Sequence, residues 1–312
     1  MLYDLIIIGG GPAGLTAAIY SARKKLNFKV LAQRVGGEQL FVAGKIENYP
    51  GIKEISSGME FINFLKEHLK KYNVDIEEGQ EVVKIEKKDK NFLIKTQSGP
   101  EYEAKAVIIA SGKRPRKLEA PGGKEFEGKG ISYCAICDSP IFKNKEVAVI
   151  GGGNTGLDSA MDLTKYAKKI YVLEFGPRIF GDEATQEKLR KTGKVEFITL
   201  AQTKEIKGER FVTSLIYEDR KTGEEKELKV QGVFVNIGSV ASAEFAKGFL
   251  ELNQANEIVI NHKTNQTSVE GVFAAGDVTD VPWKQIVIAS GEGSKAALSA
   301  SRYLQKLYDS KR

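Results

Sequence analysis

The two cysteines are the most reactive side chains of this 312-residue chain, and they lie close together in the sequence. Cys134 and Cys137 are three positions apart, a spacing at which two thiols can close a small disulfide ring. Such an isolated pair is typical of redox chemistry or of metal binding. A structural zinc site needs four ligands, and the two histidines, His68 and His262, stand far from the cysteines. The pattern therefore predicts a redox-active pair and no metal site, with an inert buried pair as the alternative.

Two polar residues beside the cysteines are candidates for controlling their reactivity. Ser132 could cap a short helix whose positive end lowers the pKa of the Cys134 thiol. Asp138 directly follows Cys137 and could transfer the proton that thiol chemistry requires. An aspartate at such a position is as often a turn residue, so both roles stay open. We take Cys134, Cys137 and Asp138 as the candidate catalytic residues.

A first glycine motif lies between a short apolar run and an alanine-rich helix. Residues 3–8 read as a buried parallel strand, and Gly9, Gly11 and Gly14 follow before the helical stretch 15–20. In a dinucleotide-binding loop the first glycine makes a tight turn and the second lets the backbone approach a pyrophosphate at the helix N-terminus. The third glycine allows close packing of helix and strand. The context therefore predicts a dinucleotide site.

The same arrangement returns in the middle of the chain. Residues 146–150 form a second strand candidate and residues 157–166 a second helix candidate. The loop between them supplies the second set of candidate nucleotide-binding residues, Gly151, Gly153, Asn154, Thr155 and Gly156. Two such motifs in the same context predict two nucleotide-binding units.

The two units differ about 20 residues downstream, where an acidic residue usually binds a ribose hydroxyl. The second unit has Glu174 at the end of a predicted strand, whereas the first has Gln33. A carboxylate accepts hydrogen bonds from the ribose diol and repels a 2′-phosphate, and Arg178 is the only basic residue close to it in sequence. Glu174 therefore favours NADH over NADPH, with an exposed strand-end acid as the alternative.

Further strands repeat after each motif and define the domain organisation. Each unit is expected to contain a small antiparallel meander that leads to a final strand, at 82–85, 92–96, 102–104 and 106–112 in the first unit and at 204–206, 213–217, 227–230 and 232–238 in the second. The predicted fold is α/β, with two Rossmann-like domains, the second inserted in the first. We place the first domain at residues 1–113 and 242–312 and the second, which contains the cysteine pair, at 114–241.

Composition and charge exclude several other classes of protein. A hydrophobic share of 41% and a charged share of 28% suit a globular chain and exclude collagen-like, disordered and disulfide-scaffold proteins. The net charge of +6 raises nucleic-acid binding as an alternative function, but the basic runs also contain acids, so we expect solvated surface charge. The early apolar run, residues 5–8, is far shorter than the ~20 residues of a membrane helix. We therefore expect a cytoplasmic protein with no nucleic-acid or membrane partner.

Together these features imply a path for electrons from a nicotinamide through a flavin to a disulfide. The whole chain resembles the low-molecular-weight thioredoxin reductases, in the glycine motifs, in residues 36–40, 47–51 and 134–138, and in Gly276-Asp277 and Lys284-Gln285-Ile286. The resemblance implies that Cys137 faces the flavin, that Cys134 attacks the disulfide of a partner protein and that Asp138 is a general acid. It also implies a homodimer whose NAD(P)H domain rotates about hinges near 113–118 and 239–245.

The same resemblance implies that the first domain holds FAD. The implied FAD contacts are Gly9, Gly11, Pro12, Ala13, Gly14, Gln33, Gly37, Gln39, Leu40, Asn48, Val83, Ala110, Ser111, Gly112, Gly276, Asp277, Lys284, Gln285 and Ile286.

The sequence departs from the NADPH-using members of this family at residues 174–178, where those members carry a His-Arg-Arg-type segment. Here it looks more like the flavoprotein component of bacterial alkyl hydroperoxide reductase, which prefers NADH, and Trp283 before Lys284 points the same way.

Because the chain starts at the first strand, we expect a separate thioredoxin- or glutaredoxin-like protein as partner. The alternatives are reduction of a peroxiredoxin system, or a ferredoxin-type electron donor in place of NAD(P)H. Ser139 stands where the family usually has glycine.

Overall fold

The chain folds into two compact units, one inserted in the other. A computed structural model describes residues 1–41, 46, 48–52, 55 and 57–309, except for the side chains of Gln39 and Phe41. The first unit contains Met1–Arg114 and Val240–Arg312, and the second contains Pro115–Ser239. The expected boundaries, 113/114 and 241/242, lie one and two residues from these divisions. The predicted α/β architecture of two Rossmann-like units is confirmed.

The first segment of the chain builds most of the first unit around a parallel sheet. Strand β1 lies between β2 and β6 and is parallel to both, with Ile7 opposite Val30 and Ile108. Its elements are β1 (Leu2–Ile8), α1 (Pro12–Arg23), β2 (Phe28–Ala32), α2 (Gly37–Phe41), α3 (Gly58–Lys70), β3 (Ile76–Glu78), β4 (Val82–Lys88), β5 (Asn91–Thr96), β6 (Glu101–Ile109) and β7 (Lys113–Pro115).

The second half of β1, residues 5–8, is apolar without interruption because both of its faces are covered. Leu5 and Ile7 pack in one buried cluster with α1, whereas Ile6 and Ile8 pack in a second cluster on the opposite face. Successive strand residues point to opposite faces, so a strand buried on both sides needs an apolar residue at every position.

The meander of the first unit differs from the expectation in one respect. We expected separate strands at 102–104 and 106–112, but β6 runs unbroken over Glu101–Ile109. Its first half pairs antiparallel with β5, while β1 pairs with it along nearly its whole length. Lys105, which suggested an interruption, is an outward-facing residue whose ammonium group pairs with Asp4. One long strand therefore joins the meander to the parallel sheet.

The second unit is built from a separate parallel sheet and a separate antiparallel one. Among the described residues the parallel sheet has the order β11-β10-β9-β15-β8, and β12, β13 and β14 form the meander. Its elements are β8 (Ile131–Ser132), α4 (Ala135–Asp138), β9 (Glu146–Ile150), α5 (Asn154–Leu163), β10 (Lys169–Leu173), α6 (Glu183–Lys191), β11 (Val195–Ile198), β12 (Ala201–Gly208), β13 (Val212–Asp219), β14 (Glu224–Lys229) and β15 (Gly232–Val235). Strand β16 (Ser239–Ala241) begins at the last residue of the second unit and continues into the first.

The chain then returns to the first unit and completes it. Strand β17 (Val272–Ala274) pairs parallel with the second half of β6, and α7 (Ile286–Asp309) packs against α1. Ala297, Ala300 and Leu304 form the buried face of α7, as the spacing predicts. Across the part of the chain that the structure describes, α7 and the shorter helices all lack the length or the apolar character needed to cross a membrane.

Candidate functional site

Each of the three glycines in the first glycine loop is explained by a different feature of the structure. Gly9 has a φ of +116°, and a side chain there would collide with the carbonyl oxygen of Ala110. A side chain at Gly14 would collide with the carbonyl oxygen of Gly9. At Gly11, the N-cap of α1, an added Cβ would meet only the Gly36 carbonyl oxygen, at 3.9 Å. The first and third glycines therefore permit the tight turn and the close packing, and the second leaves the helix N-terminus open to a ligand.

The second glycine loop repeats this geometry in the second unit. Gly151 has a φ of +110° and lies against the carbonyl oxygen of Asn236, and Gly156 lies against that of Gly151. Around the N-cap Gly153, an added Cβ would meet no described atom within 4 Å. Each unit thus presents the N-terminus of a helix, α1 or α5, where a dinucleotide diphosphate can bind.

A cavity of about 880 Å³ opens at the first glycine loop and lies within the first unit. It follows the carboxyl ends of the parallel strands, where ligands bind in open α/β sheets. The predicted FAD contacts that line it are Gly9, Gly11, Pro12, Ala13, Gln33, Gly37, Leu40, Val83, Ala110, Ser111, Gly112, Asp277, Lys284, Gln285 and Ile286.

The remaining predicted contacts do not line the cavity or cannot be described. Gly14 and Gly276 are packing positions, since a Cβ at Gly276 would press on the methyl group of Ala13. The Asn48 side chain donates a hydrogen bond to Gln285 at 3.0 Å and so supports a lining residue. The side chain of Gln39 lies outside the described part of the structure, as does Glu47.

Part of the cavity wall could not be predicted from the sequence. Residues of two connecting segments contribute, one before β4 and one after β16, and neither carries a recognisable motif. They are Gln80, Glu81, Ser242, Glu244 and Phe245.

Asp277 is a partly buried acidic residue of the cavity wall. Within the described residues its carboxylate makes no hydrogen bond. Burial raises the pKa of Asp277 above its usual value, although Lys284 and Lys113 oppose this effect. A partly buried carboxylate in a cavity wall can accept a hydrogen bond from a ligand hydroxyl.

Two lysines of the cavity wall share one carboxylate. Glu257 lies 2.8 Å from the ammonium group of Lys113 and 3.1 Å from that of Lys284. Burial of Glu257 favours the protonated acid, but hydrogen bonds from Lys113, Asn253 and Lys284 outweigh this effect and lower its pKa to about 2. Glu257 therefore stays ionised and holds both lysines at the cavity.

The two cysteines are joined in a disulfide in the second unit. The Cys134–Cys137 bond closes over the first turn of α4, and the Cys137 amide donates a hydrogen bond to the Cys134 sulfur at 3.1 Å. The expectation that Ser132 caps this helix is wrong, because Cys134 itself is the N-cap. Ser132 belongs to β8, so its hydroxyl lies too far back along the chain to cap α4.

The Ser132 hydroxyl instead orients Asp138. It donates to the Asp138 carboxylate at 2.6 Å and accepts from the Cys134 amide at 3.0 Å. This hydrogen bond ties the carboxylate to the backbone of Cys134 in the oxidised protein. Ser139 is buried and donates to the carbonyl oxygen of Ala135 at 2.6 Å, so its hydroxyl is satisfied inside α4.

Glu174 lies at the end of β10, as predicted, and its carboxylate is held by backbone amides. The amides of Gly152 and Gly176 each donate to one of its oxygens at 2.7 Å. Gly152 belongs to the second glycine loop, so the carboxylate is fixed beside that loop. Each oxygen keeps a lone pair for a further donor.

The fold brings a second basic residue, distant in sequence, to the segment that follows Glu174. Arg220 comes from the turn between β13 and β14, and its guanidinium lies 3.8 Å from the ring centre of Phe175. Its Nη1 also donates to the Phe175 carbonyl oxygen at 3.0 Å. Arg178 lies over the ring of Phe180 at 5.2 Å. Nothing in the local sequence links residue 220 to residue 175.

Comparison with known proteins places this site in a family. Residues 3–293 match the pyridine nucleotide-disulphide oxidoreductases. Over 302 residues the chain is 44% identical to an NADH dehydrogenase of Bacillus subtilis (strain 168) and to a component of the alkyl hydroperoxide reductase of Staphylococcus aureus (strain MRSA252). Both alignments cover 97% of this chain, but 58% and 59% of those proteins. The chain therefore spans about three-fifths of the length of these relatives.

Solved structures show the same fold over the full chain. The thioredoxin reductase of Lactococcus lactis matches with a TM-score of 0.90 and 35% identity, covering 97% of this chain and 99% of that one. The thioredoxin reductase of T. acidophilum matches with a TM-score of 0.87 and 38% identity, covering 98% and 99%. The ferredoxin-flavin thioredoxin reductase of Clostridium acetobutylicum matches with a TM-score of 0.56 and 31% identity, covering 99% of each chain. The resemblance seen in the sequence is thereby confirmed.

Proposed function

Because this chain belongs to the pyridine nucleotide-disulphide oxidoreductase family, we propose that it is an FAD-dependent disulfide reductase. It takes electrons from NADH, passes them through FAD to the Cys134–Cys137 disulfide and delivers them to a small redox protein. The observation that carries this proposal is the closed disulfide in the same unit as the second glycine loop. A redox-active pair and a nucleotide site in one unit are the two ends of a path for electrons.

The cavity of the first unit has groups that suit the chemistry of FAD. It contains an open helix N-terminus at Gly11 for the diphosphate and a partly buried carboxylate at Asp277 for a sugar-type hydroxyl. When bound, FAD exchanges a hydride with a nicotinamide and an electron pair with a disulfide. Lys284, Gln285 and Ile286 lie at the wall that also contains Asp277 and would hold the same end of the cofactor.

Cys134 is assigned as the nucleophile of the reduced pair. The Cys137 amide points at its sulfur, and a backbone donor stabilises the negative charge of a thiolate. The Cys134 thiolate attacks one sulfur of the partner disulfide, forming a mixed disulfide and releasing one partner thiolate. The Cys137 thiolate then attacks the Cys134 sulfur, which restores the internal disulfide and releases the second partner thiolate. The partner gains two electrons and two protons.

Asp138 is assigned as the group that supplies a proton to a leaving thiolate. Its carboxylate is held by Ser132, whose hydroxyl also contacts the Cys134 amide, so the acid and the nucleophile are positioned by one side chain. Proton transfer of this kind needs a fixed donor within hydrogen-bond reach.

NADH is the proposed electron donor because Glu174 places a negative charge beside the second glycine loop. The 2′-phosphate of NADPH would lie close to this carboxylate, whereas the ribose diol of NADH can donate to it. Replacing Glu174 with Ala is expected to lower the ratio of kcat/KM for NADH to that for NADPH by about tenfold. Steady-state kinetics with both nucleotides measure the ratio, and an unchanged ratio would remove Glu174 from the account.

The partner is proposed to be a thioredoxin- or glutaredoxin-like protein, and the chain a homodimer. The structures named thioredoxin reductase support this partner. A peroxiredoxin system is the second candidate, since a similar protein is named as part of an alkyl hydroperoxide reductase. NADH oxidation is compared with a thioredoxin, a glutaredoxin and a peroxiredoxin disulfide as substrates. Turnover with none of them would contradict the proposed function, and size-exclusion chromatography tests the dimer.

A further inference from the structure

An exposed aromatic ring lies directly beside Glu174 and is backed by an arginine. Phe175 follows Glu174 at the end of β10 and is 54% exposed. The guanidinium of Arg220 lies 3.8 Å from the centre of its ring and donates to its carbonyl oxygen. One face of the ring is thus occupied by Arg220, and the ring still exposes more than half of its surface.

Three parts of the second unit hold this ring in place. The Leu200 amide donates to the Gly176 carbonyl oxygen at 2.9 Å, and the Arg220 amide donates to the Leu200 carbonyl oxygen at 2.8 Å. The segment after β10, the connection between β11 and β12 and the turn after β13 are therefore linked by backbone hydrogen bonds. Because the ring is preorganised, stacking a ligand on it loses little conformational entropy.

The ring lies where the topology places the base of a dinucleotide. The diphosphate binds at the N-terminus of α5, and the adjacent ribose reaches the acid at the end of the neighbouring strand, here Glu174 on β10. The base therefore extends beyond β10 towards the next strand, β11. The connection that follows β11 holds Phe175 through Leu200 and Gly176.

We propose that Phe175, backed by Arg220, is the surface on which the adenine of the nicotinamide dinucleotide stacks. This proposal rests on the proposed function and adds two binding residues to it. Adenine is common to NADH and NADPH, so the stack supplies affinity for both nucleotides, and Glu174 alone discriminates between them. Arg220 acts as a positioning residue. Its planar guanidinium packs on the Phe175 ring, and one of its N–H groups donates to the Phe175 carbonyl oxygen.

The test measures binding of ADP-ribose, which carries the adenine but no nicotinamide. Isothermal titration calorimetry on the oxidised, FAD-loaded full chain gives its Kd for wild type, Phe175→Leu and Arg220→Met. Base–aromatic stacking predicts a Kd about tenfold higher for Phe175→Leu and a smaller increase for Arg220→Met. Reduced nicotinamide mononucleotide lacks the adenosine half, so its rate of flavin reduction is expected to be the same in all three proteins.

A matched control lies at the other end of β13. Phe211 is 55% exposed and has the guanidinium of Arg210 over its ring at 5.5 Å, but it precedes β13, whereas Arg220 follows it. Phe211→Leu is expected to leave the Kd of ADP-ribose unchanged. An equal loss of affinity in Phe211→Leu and Phe175→Leu, or no loss in Phe175→Leu, would overturn the proposal.

The effects of Arg220→Met on the KM values for NADH and for NADPH distinguish two possible roles of Arg220. A stacking support predicts that Arg220→Met raises the KM for NADH and for NADPH by similar factors. A loss confined to NADPH would overturn the assignment, because it would make Arg220 a ligand of the 2′-phosphate. Wild-type protein that binds ADP-ribose but is not reduced by NADH would contradict the proposed function and leave the adenine site standing.

Discussion

The chemistry of the Cys134–Cys137 pair depends on hydrogen bonds made by its immediate neighbours. The Cys137 amide contacts the sulfur of Cys134, and Ser132 connects the Cys134 amide to the Asp138 carboxylate. These contacts distinguish two cysteines that the sequence alone leaves equivalent. They support the proposal that Cys134 is the nucleophile and that Asp138 supplies a proton.

Replacing Cys134 with Ser tests the assignment of the nucleophile. The proposed FAD site lies in the other unit, so the variant is expected to keep its flavin and its reduction by NADH. Because serine is not a nucleophile for disulfides at neutral pH, reduction of the partner should fall by at least about a hundredfold. Stopped-flow flavin absorbance and a partner-thiol assay measure the two steps, and full partner reduction would refute the assignment.

Replacing Ser132 with Ala tests the positioning of Asp138. The variant loses the hydrogen bond that holds the carboxylate, and we expect partner reduction to slow by about tenfold while flavin reduction by NADH is unchanged. Ser132→Thr keeps the hydroxyl and is expected to restore most of the rate. Equal rates of partner reduction in Ser132→Ala and wild type, across the pH range of the assay, would show that Ser132 is merely structural.

The role of a side chain could be predicted from the sequence where the residues it contacts are close in sequence. It could not be predicted where those residues are distant in sequence. The disulfide spacing and the strand-end position of Glu174 follow from a few consecutive residues. Arg220 stacks on Phe175 across 45 positions, and only the folded meander brings them together. Ser132 was expected to cap α4, but the N-cap is Cys134. A single polar residue does not determine the residue at which a four-residue helix begins.

Close packing between α1 and α7 determines the floor of the cavity in the first unit. Gly293 of α7 lies directly on the carbonyl oxygen of Ala13, which belongs to α1 and lines the cavity. Gly291 is on the exposed side of α7, where an added Cβ would meet no described atom within 4 Å. Two glycines in one helix therefore have opposite structural roles.

Substituting each of these glycines with Ala should change stability in opposite directions. Gly293→Ala forces the two helices apart and is expected to cost about 1–3 kcal/mol of unfolding free energy, with weaker FAD binding. Gly291→Ala improves helix propensity without a clash and is expected to gain about 0.5–1 kcal/mol. Thermal unfolding followed by circular dichroism measures both. Equal stability of the two variants would contradict the packing account.

Elements were predicted well where apolar periodicity is strong and less well where one strand has both parallel and antiparallel neighbours. Strand β1 follows from its unbroken apolar run, and the meander of the second unit follows from its turns. Strand β6 was expected as two pieces because Lys105 interrupts its apolar pattern. That lysine reaches Asp4 at the surface, so the interruption reflects one outward position and not the end of a strand.

The two units of the molecule repeat the same arrangement of elements. Both units place a glycine loop between a buried strand and a helix, and the sequence shows this duplication directly. The insertion of the second unit could be predicted because the apolar pattern of the first resumes after it. The parts of the cavity wall formed by Gln80 and Glu81 and by Ser242, Glu244 and Phe245 could not, since these connecting segments contain no periodic pattern.

Acid stability of the molecule is expected to depend on Glu257. Its pKa is lowered to about 2 in the folded chain, so its contribution is complete above the unfolded value near 4.5 and is lost as the pH falls towards 2. Glu257→Gln should therefore be less stable than wild type at neutral pH, and the difference should shrink between about pH 5 and about pH 3. Urea unfolding at several pH values measures it. The exposed Glu119→Gln is the control, and a difference independent of pH would contradict the ion-pair account.

Anaerobic titration with NADH tests most directly whether electrons reach the cysteine pair. Flavin absorbance is followed in the wild type and in a Cys134→Ser/Cys137→Ser double variant. FAD and the disulfide each accept two electrons, so the wild type should consume about two equivalents of NADH and the double variant about one. Equal consumption by the two proteins, or a flavin that NADH does not bleach, would contradict the proposed path from NADH to the disulfide.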